Sequence, residues 1–302
     1  MHIAVLGAGA IGSALGARLS RSESITLIGH HTRHLQTVSE NPMTVVEPGE
    51  SSSERAVSVT TDYQAVSDVD LVILAVKSYD TEAALGDIKP YLGDTPILTV
   101  QNGLGNIEQI RENVGPDQVI GGTTTMGAFV PEPGCVRIGN LGRTHIGKPW
   151  GPNTEFLDQI KSALETAGFQ TTVETEIRHA IWEKVLINAA INPITALGTV
   201  PNGALQTGPG HQLLRSSIAE AKLVAEAEGY PIENAVERAI TVVGATADNR
   251  SSMLRDLEAG GQTEIDALNG ALVERGVTHD IPVPVNRTIT AAIHLASESR
   301  NR

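Results

Sequence analysis

The chain has 302 residues, 40 % apolar and 19 % charged, which is the composition of an ordinary folded protein of about two domains rather than a disordered, collagenous or membrane chain. Its 22 Lys and Arg against 35 Asp and Glu give a net charge of −13, which repels a phosphate backbone; with no local basic patch in the sequence, nucleic acid is excluded as a partner. The single Cys135 excludes an internal disulfide and a Cys-based metal site, and no apolar run reaches the roughly 20 residues that span a bilayer.

Residues 2–6, HIAVL, read as a buried strand and residues 10–20, AIGSALGARLS, as a helix. Between them Gly7, Ala8, Gly9, Ala10, Ile11 and Gly12 fit the GxGxxG pattern in the strand, turn and helix context it requires. The first Gly permits the tight turn, the second lets backbone approach a pyrophosphate, and the third allows close helix packing. Free amides and the helix dipole then face the anion, so dinucleotide binding is expected here.

ITLIG at 25–29 is a second strand, followed by His30, His31, Thr32, Arg33 and His34. No Asp or Glu stands there to bind a ribose diol, so cationic and hydrogen-bonding groups could accept a 2′-phosphate instead. DLVILAVKS at 70–78 and PILTVQNG at 96–103 are further apolar runs, ending near Lys77 and Asn102. Continuous apolar strands with helical stretches between them predict a doubly wound parallel sheet, whose ligands lie beyond the carboxyl ends of the strands. Residues 119–148 read as closing strands and a hairpin, PWGPN at 149–153 as a linker, EFLDQIKSALETAGF as a helix and QTTVETE as an edge strand. The expected boundary falls near residue 175, giving a dinucleotide-binding domain over 1–175 and an all-helical substrate domain over 176–302.

In the second half the helix at 179–192, HAIWEKVLINAAIN, is the most informative. Lys184, Asn188 and Asn192 lie at i, i+4 and i+8, hence on one face, in an otherwise apolar segment. Asn is a poor helix residue, so such a stripe implies a partner, and a buried Lys with a lowered pKa is a usable proton donor near neutrality. Ser251-Ser252-Met253 and Thr263-Glu264-Ile265-Asp266 flank a Gly260-Gly261 break, where Ser252 reads as a helix cap and Glu264 as an exposed charge. His145, His179, His211, His279 and His294 show no metal-ligand spacing and read as structural; no metal site is expected.

The blocks IAVLGAGAIG, AVKSYDTEAAL, QNGLGNIEQI, GGTTTMGA, THIGK, IWEKVLINAAINPITAL, PNG and SSMLRDLEAGGQTEIDALNG follow one another over nearly the whole chain. In this order they resemble the ketopantoate reductase (2-dehydropantoate 2-reductase) family. The resemblance implies an α/β Rossmann-type N-terminal domain, an all-α C-terminal domain of the 6-phosphogluconate dehydrogenase type, and a site in the cleft between them. It implies reduction of ketopantoate to pantoate in pantothenate and coenzyme A biosynthesis. Lys184 would be the general acid, and Glu264 would hold Lys184 or the substrate hydroxyl. Asn102, Asn188, Asn192 and Asn202 would bind substrate polar groups, Ser252 the carboxylate, and Lys77 the cofactor or the carboxylate. NADPH is the expected cofactor and NADH the alternative; the chain departs from the many members that carry an Arg after the second strand, with His30 there and Arg33 three residues on. A reductase of another 2-oxo acid and a non-catalytic NAD(P)-sensing regulator are the competing readings. A homodimer is a candidate assembly. The start MHIAVLGAGAIG lacks the basic flank and cleavage signal of a secretory leader, so a cytoplasmic location is expected. Only six of the basic residues are Lys, which suits a salty cytoplasm where ionic strength screens the net charge.

Overall fold

The computed structural model describes residues 1–49 and 51–300. The chain forms two compact units, one of Met1–Gln101 and Asn106–Ala180, the other of Asn102–Gly105 and the residues from Ile181 onward. The division thus falls a few residues after the expected boundary, and a four-residue piece at the end of the fourth apolar run belongs with the second unit.

The first unit runs β1 (His2–Leu6), α1 (Ala10–Leu19), β2 (Ser24–Ile28), α2 (Arg33–Glu40), β3 (Met43–Val46), β4 (Ser53–Arg55), β5 (Ser58–Thr60) and β6 (Leu71–Leu74). It continues with α3 (Thr81–Leu92), β7 (Ile97–Thr99), α4 (Asn106–Val114), β8 (Val119–Thr124), β9 (Gly127–Glu132), β10 (Cys135–Asn140), β11 (Arg143–Gly147), α5 (Glu155–Thr166) and β12 (Gln170–Val173). Eight strands form one sheet in the order β12-β11-β8-β7-β6-β1-β2-β5. The strands from β8 to β5 are parallel, as continuous apolar burial on both faces requires. β11 closes the sheet antiparallel to β8, and β12 takes the edge expected for QTTV.

Two features of this unit depart from the sequence reading. Between β2 and β6, where the sequence reading named no strand, the chain adds β3, β4 and β5, and the β9–β10 hairpin does not close the main sheet. It pairs with β3 and β4 in a separate four-stranded sheet, β4-β3-β10-β9. This second sheet packs on α1, which also contacts β1 and β2. Sandwiched between two sheets, α1 is buried at every residue from Gly12 to Leu19, which explains its small side chains. Even Arg18 is buried. Its Nε donates to the carbonyl of Ala167 at 2.6 Å, its Nη1 pairs with Glu47 just after β3 at 2.5 Å, and its guanidinium lies 5.7 Å from the Phe169 ring centre. Arg21 takes the other Glu47 oxygen.

The second unit contains α6 (Ile177–Gly198), α7 (Gly208–Ala227), α8 (Ala235–Ala245), α9 (Ser252–Glu258), α10 (Ala271–Thr278) and α11 (Pro284–Arg300), with no strand among the described residues. α6 begins four residues before the division between the units. α9 is the helix that a cap at Ser252 implies, whereas α11 was not read from the sequence. A separate core gathers Trp182, Leu186, Ala190, Leu214, Ile218, Leu254, Leu268 and Ile293, and Trp182 stacks on Tyr230. Among the described residues no helix is long and apolar enough to cross a membrane.

Removing Glu47 strands two guanidinium groups, one of them buried. Glu47→Ala is therefore expected to cost about 3 to 5 kcal/mol, read from the shift of a chemical-denaturation midpoint. A loss below about 1 kcal/mol would show that the pair does not anchor α1.

Candidate active site

The glycine turn sits where β1 hands over to α1. Gly7 has φ +113°, and a Cβ there would lie 2.6 Å from the amide nitrogen of Val76. A Cβ on Gly12 would lie 1.8 Å from the Gly7 carbonyl oxygen, so neither position admits a side chain. Gly9 differs: it is exposed, and nothing lies within 4 Å of where its Cβ would be. It is the N-cap of α1, whose first amides have no carbonyl one turn below. Two glycines thus serve packing and one leaves open space beside unpaired donors, the arrangement a pyrophosphate fits.

The three histidines after β2 have different fates. His30 and His31 are exposed, and His30 Nδ1 is 3.3 Å from the Tyr63 hydroxyl. His34 is buried, because α2 starts at Arg33 and turns His34, Leu35 and Val38 inward. Its Nδ1 accepts from the Gly134 amide at 3.1 Å, so the proton sits on Nε2, which donates to Ser13 Oγ at 3.0 Å. Burial lowers the His34 pKa, in keeping with a neutral ring. Ser13 in turn donates to the Ala8 carbonyl at 3.4 Å, so His34 braces the glycine turn from behind. Arg33 is exposed in the first turn of α2, which Thr32 caps through the Leu35 amide at 3.1 Å. Lys77 is half-buried, just ahead of a single 3-10 turn at Ser78–Asp80.

In the second unit α6 carries Lys184, Asn188 and Asn192 on one stripe. Lys184 and Asn188 are half-buried and Asn192 is buried, flanked by buried Val185, Leu186, Ala189, Ala190 and Ile191. Burial drives the Lys184 ammonium down from 10.5 to about 8, against the opposing pull of Glu264. Among the described residues the Lys184 ammonium makes no hydrogen bond, so its donors remain available. Glu264 is buried, not the exposed charge its sequence context suggests, and its Oε2 accepts from Asn102 Nδ2 at 3.1 Å.

Asn102 reaches Glu264 because residues 102–105 pack on the turn that carries it. Leu104 donates its amide to the Ala267 carbonyl at 2.8 Å. Gly103, at φ +95°, lies so close that a Cβ would come within 2.5 Å of the Ala267 Cβ. Lys184, Glu264 and Asn102 are therefore brought together, joining three blocks that are far apart in sequence.

The remaining polar residues are held in other ways. The cap of α9 is Ser251, not Ser252: Ser251 Oγ accepts from the Leu254 amide at 3.2 Å and from Thr195 Oγ1 at 2.8 Å. It also donates to the Asn192 carbonyl at 3.3 Å, which ties α9 to α6. Ser252 is left exposed in the first turn of α9. Asn202 donates Nδ2 to Thr246 Oγ1 at 2.9 Å and its amide to the Asn249 carbonyl at 2.9 Å, while its buried Oδ1 has no partner. Thr195 and Ser251 were not legible as bracing residues, although hydroxyls beside a helical proline are the signal to look for.

A parallel sheet with a glycine turn at its first carboxyl end, joined to an all-helical unit that sequesters a lysine and a glutamate, is the build of a two-unit oxidoreductase. The family described as Ketopantoate reductase PanE/ApbA matches residues 3–150, and its C-terminal counterpart, Ketopantoate reductase PanE/ApbA C terminal, matches residues 176–297. The chain belongs to the ketopantoate reductase family. It is 44 % identical to the 2-dehydropantoate 2-reductase of Halobacterium salinarum over 98 % of this chain and 99 % of that one. Its identity to the Pyrococcus horikoshii protein of the same name is 36 %, covering 97 % and 96 %. Among solved structures, a PanE/ApbA family ketopantoate reductase from Ralstonia eutropha JMP134 superposes with TM-score 0.91 at 30 % identity, covering all of both chains. D-mandelate dehydrogenase with NADH and anilino(oxo)acetate gives TM-score 0.93 at 24 % identity over all of both chains, which speaks for a shared fold.

The pull of Glu264 on Lys184 has a measurable sign. Glu264→Gln removes the charge that favours the ammonium, so the Lys184 pKa is expected to fall below about 8. The pH dependence of Lys184 acylation by an amine-reactive reagent, followed by mass spectrometry, reads this directly; an unmoved curve would separate the two groups.

Proposed function

We propose that this protein reduces 2-dehydropantoate to pantoate with a reduced nicotinamide dinucleotide, the first unit binding the dinucleotide and the second the substrate. The observation that carries the reading is Lys184: an ammonium with a pKa of about 8, free of hydrogen bonds among the described residues, beside buried Glu264 and on one stripe with two asparagines. The dinucleotide supplies a hydride to the ketone carbon. Lys184 donates its proton to the ketone oxygen, which becomes the hydroxyl of the product. Glu264 keeps the ammonium charged in its apolar helix and orients Asn102.

Asn188 and Asn192 offer amides on the same helix stripe as Lys184, and Asn202 contributes a buried carbonyl oxygen with an unused acceptor. Ser252, exposed in the first turn of α9, binds the substrate carboxylate. Gly7, Ala8, Gly9, Ala10, Ile11 and Gly12 hold the pyrophosphate, with Lys77 and Asn102 also on the cofactor. Arg33 and His30 select NADPH over NADH, since no carboxylate competes for the 2′-phosphate and Arg33 carries a permanent charge.

Lys184→Ala is expected to lower kcat by roughly 10² or more while leaving the fold intact, since it removes a half-buried charge rather than adding one. Near-normal turnover at saturating ketopantoate would remove Lys184 from the chemistry. A panel of other 2-oxo acids in the same assay separates ketopantoate from related substrates.

Because the charged lysine is the donor, kcat for reduction should hold level below about pH 8 and fall as pH rises through that value. A rate that rises through the same range would assign Lys184 the role of a base.

For the cofactor, Arg33→Ala should lower kcat/KM for NADPH roughly tenfold and leave that for NADH unchanged, as loss of one charged phosphate contact predicts. Equal losses with both cofactors would place Arg33 outside the 2′-phosphate site.

A further inference from the structure

α6 continues through Pro193, which has no N–H to give to the carbonyl of Ala189 four residues earlier. Ala189 is fully buried, so water cannot supply the missing donor. The donor comes from elsewhere in the unit: Asn269 Nδ2 lies 3.0 Å from the Ala189 oxygen. Asn269 is itself fully buried, in the π-helical turn Asp266–Gly270 that follows Glu264. Insertions of this kind recur at functional sites.

The orientation of that amide is set from behind. Its second hydrogen goes to Asn286 Oδ1 at 2.9 Å, which also accepts from Ser217 Oγ at 2.9 Å. Asn286 Nδ2 donates to the Ser217 carbonyl and to Glu220, and Glu220 takes the Val285 and Asn286 amides at the start of α11. Asn286 therefore keeps a donor if Asn269 is lost, whereas the Ala189 carbonyl loses the one that replaces the proline's. Ala189 lies five residues after Lys184 and Asn269 five residues after Glu264, so this bond joins the backbones that carry the two charges.

We propose that Asn269 is a positioning residue for Lys184: its side-chain amide replaces the N–H that Pro193 lacks and fixes the Lys184 stripe of α6 against the turn that carries Glu264. This rests on the reading of Lys184 as proton donor. Asn269 touches neither the substrate nor the cofactor and acts through the geometry of that donor and its counter-charge.

The test removes the amide in two backgrounds. With NADPH and saturating ketopantoate, Asn269→Ala should lower kcat roughly tenfold or more, with KM for NADPH unchanged. In a Pro193→Ala background the helix regains its own donor, and the same change should cost less than about threefold. Acylation of the Lys184 amine as a function of pH gives a readout that does not depend on turnover. Asn269→Ala should move that curve to lower pH, because the pull of Glu264 weakens, and Pro193→Ala should move it back. Equal losses in both backgrounds, or a fall in kcat with the acylation curve unmoved, would overturn the proposal. Should Asn269→Ala alone fail to fold, a folded and active double variant upholds it, and an unfolded double variant refutes it. Lys184→Ala is assayed alongside: normal turnover there defeats the donor reading, while the acylation curves still decide the role of Asn269.

Discussion

A buried ammonium on an otherwise apolar helix is costly unless a counter-charge and a fixed geometry accompany it, and much of the helical unit answers to that requirement. Glu264 supplies the counter-charge, yet it too is buried and needs a donor of its own. That donor is Asn102, which comes from a four-residue excursion lying far from the helices in sequence. The π-helical turn, the glycine that lets residues 102–105 lie flush on Ala267, and the amide that services Ala189 all hold the backbone around this one charge. The net effect is a lysine near its titration point at about pH 8, where it can part with a proton.

The first unit solves a different problem, the close approach of backbone to backbone. Gly7 and Gly12 let β1, α1 and the strand end at Val76 crowd together, and α1 gives up large side chains to sit between two sheets. The sequestered Arg18 and Glu47 and the neutral His34 then fix α1 from opposite ends. Rigidity behind the turn leaves the space over Gly9 open, where a ligand can take the amides that the helix cannot.

The parallel sheet was legible because its strands are buried on both faces and read as uninterrupted apolar runs. Of the second sheet only the hairpin was legible; β3 and β4 run to four and three residues, too short for their alternation to stand out from loop. The stripe of Lys184, Asn188 and Asn192 was legible from helical spacing alone. Glu264, by contrast, looks exposed in isolation, and only the resemblance of its block to a known family raised it; the partner that buries it is 162 residues away. His34 misled for a local reason, since one turn of helix separates an interior ring from the exposed His30 and His31. The hydroxyl of Ser251 rather than Ser252 caps α9 because the choice depends on which residue starts the helix, a boundary that sequence rarely gives to one position.

The bonds that define the lysine environment are long in sequence. Residue 189 waits for residue 269, and residue 102 waits for residue 264. A ribosome adding about 5 to 20 residues per second exposes Asn102 many seconds before its carboxylate partner exists. The nascent first unit can pair its parallel strands during that interval, but residues 102–105 must stay undocked and the gap in α6 unfilled until the last third of the chain has emerged. Synthesis therefore imposes an order: the scaffold for the dinucleotide matures early, and the lysine acquires its working environment only near completion. Chains truncated before residue 269 would retain the early scaffold and lack that environment.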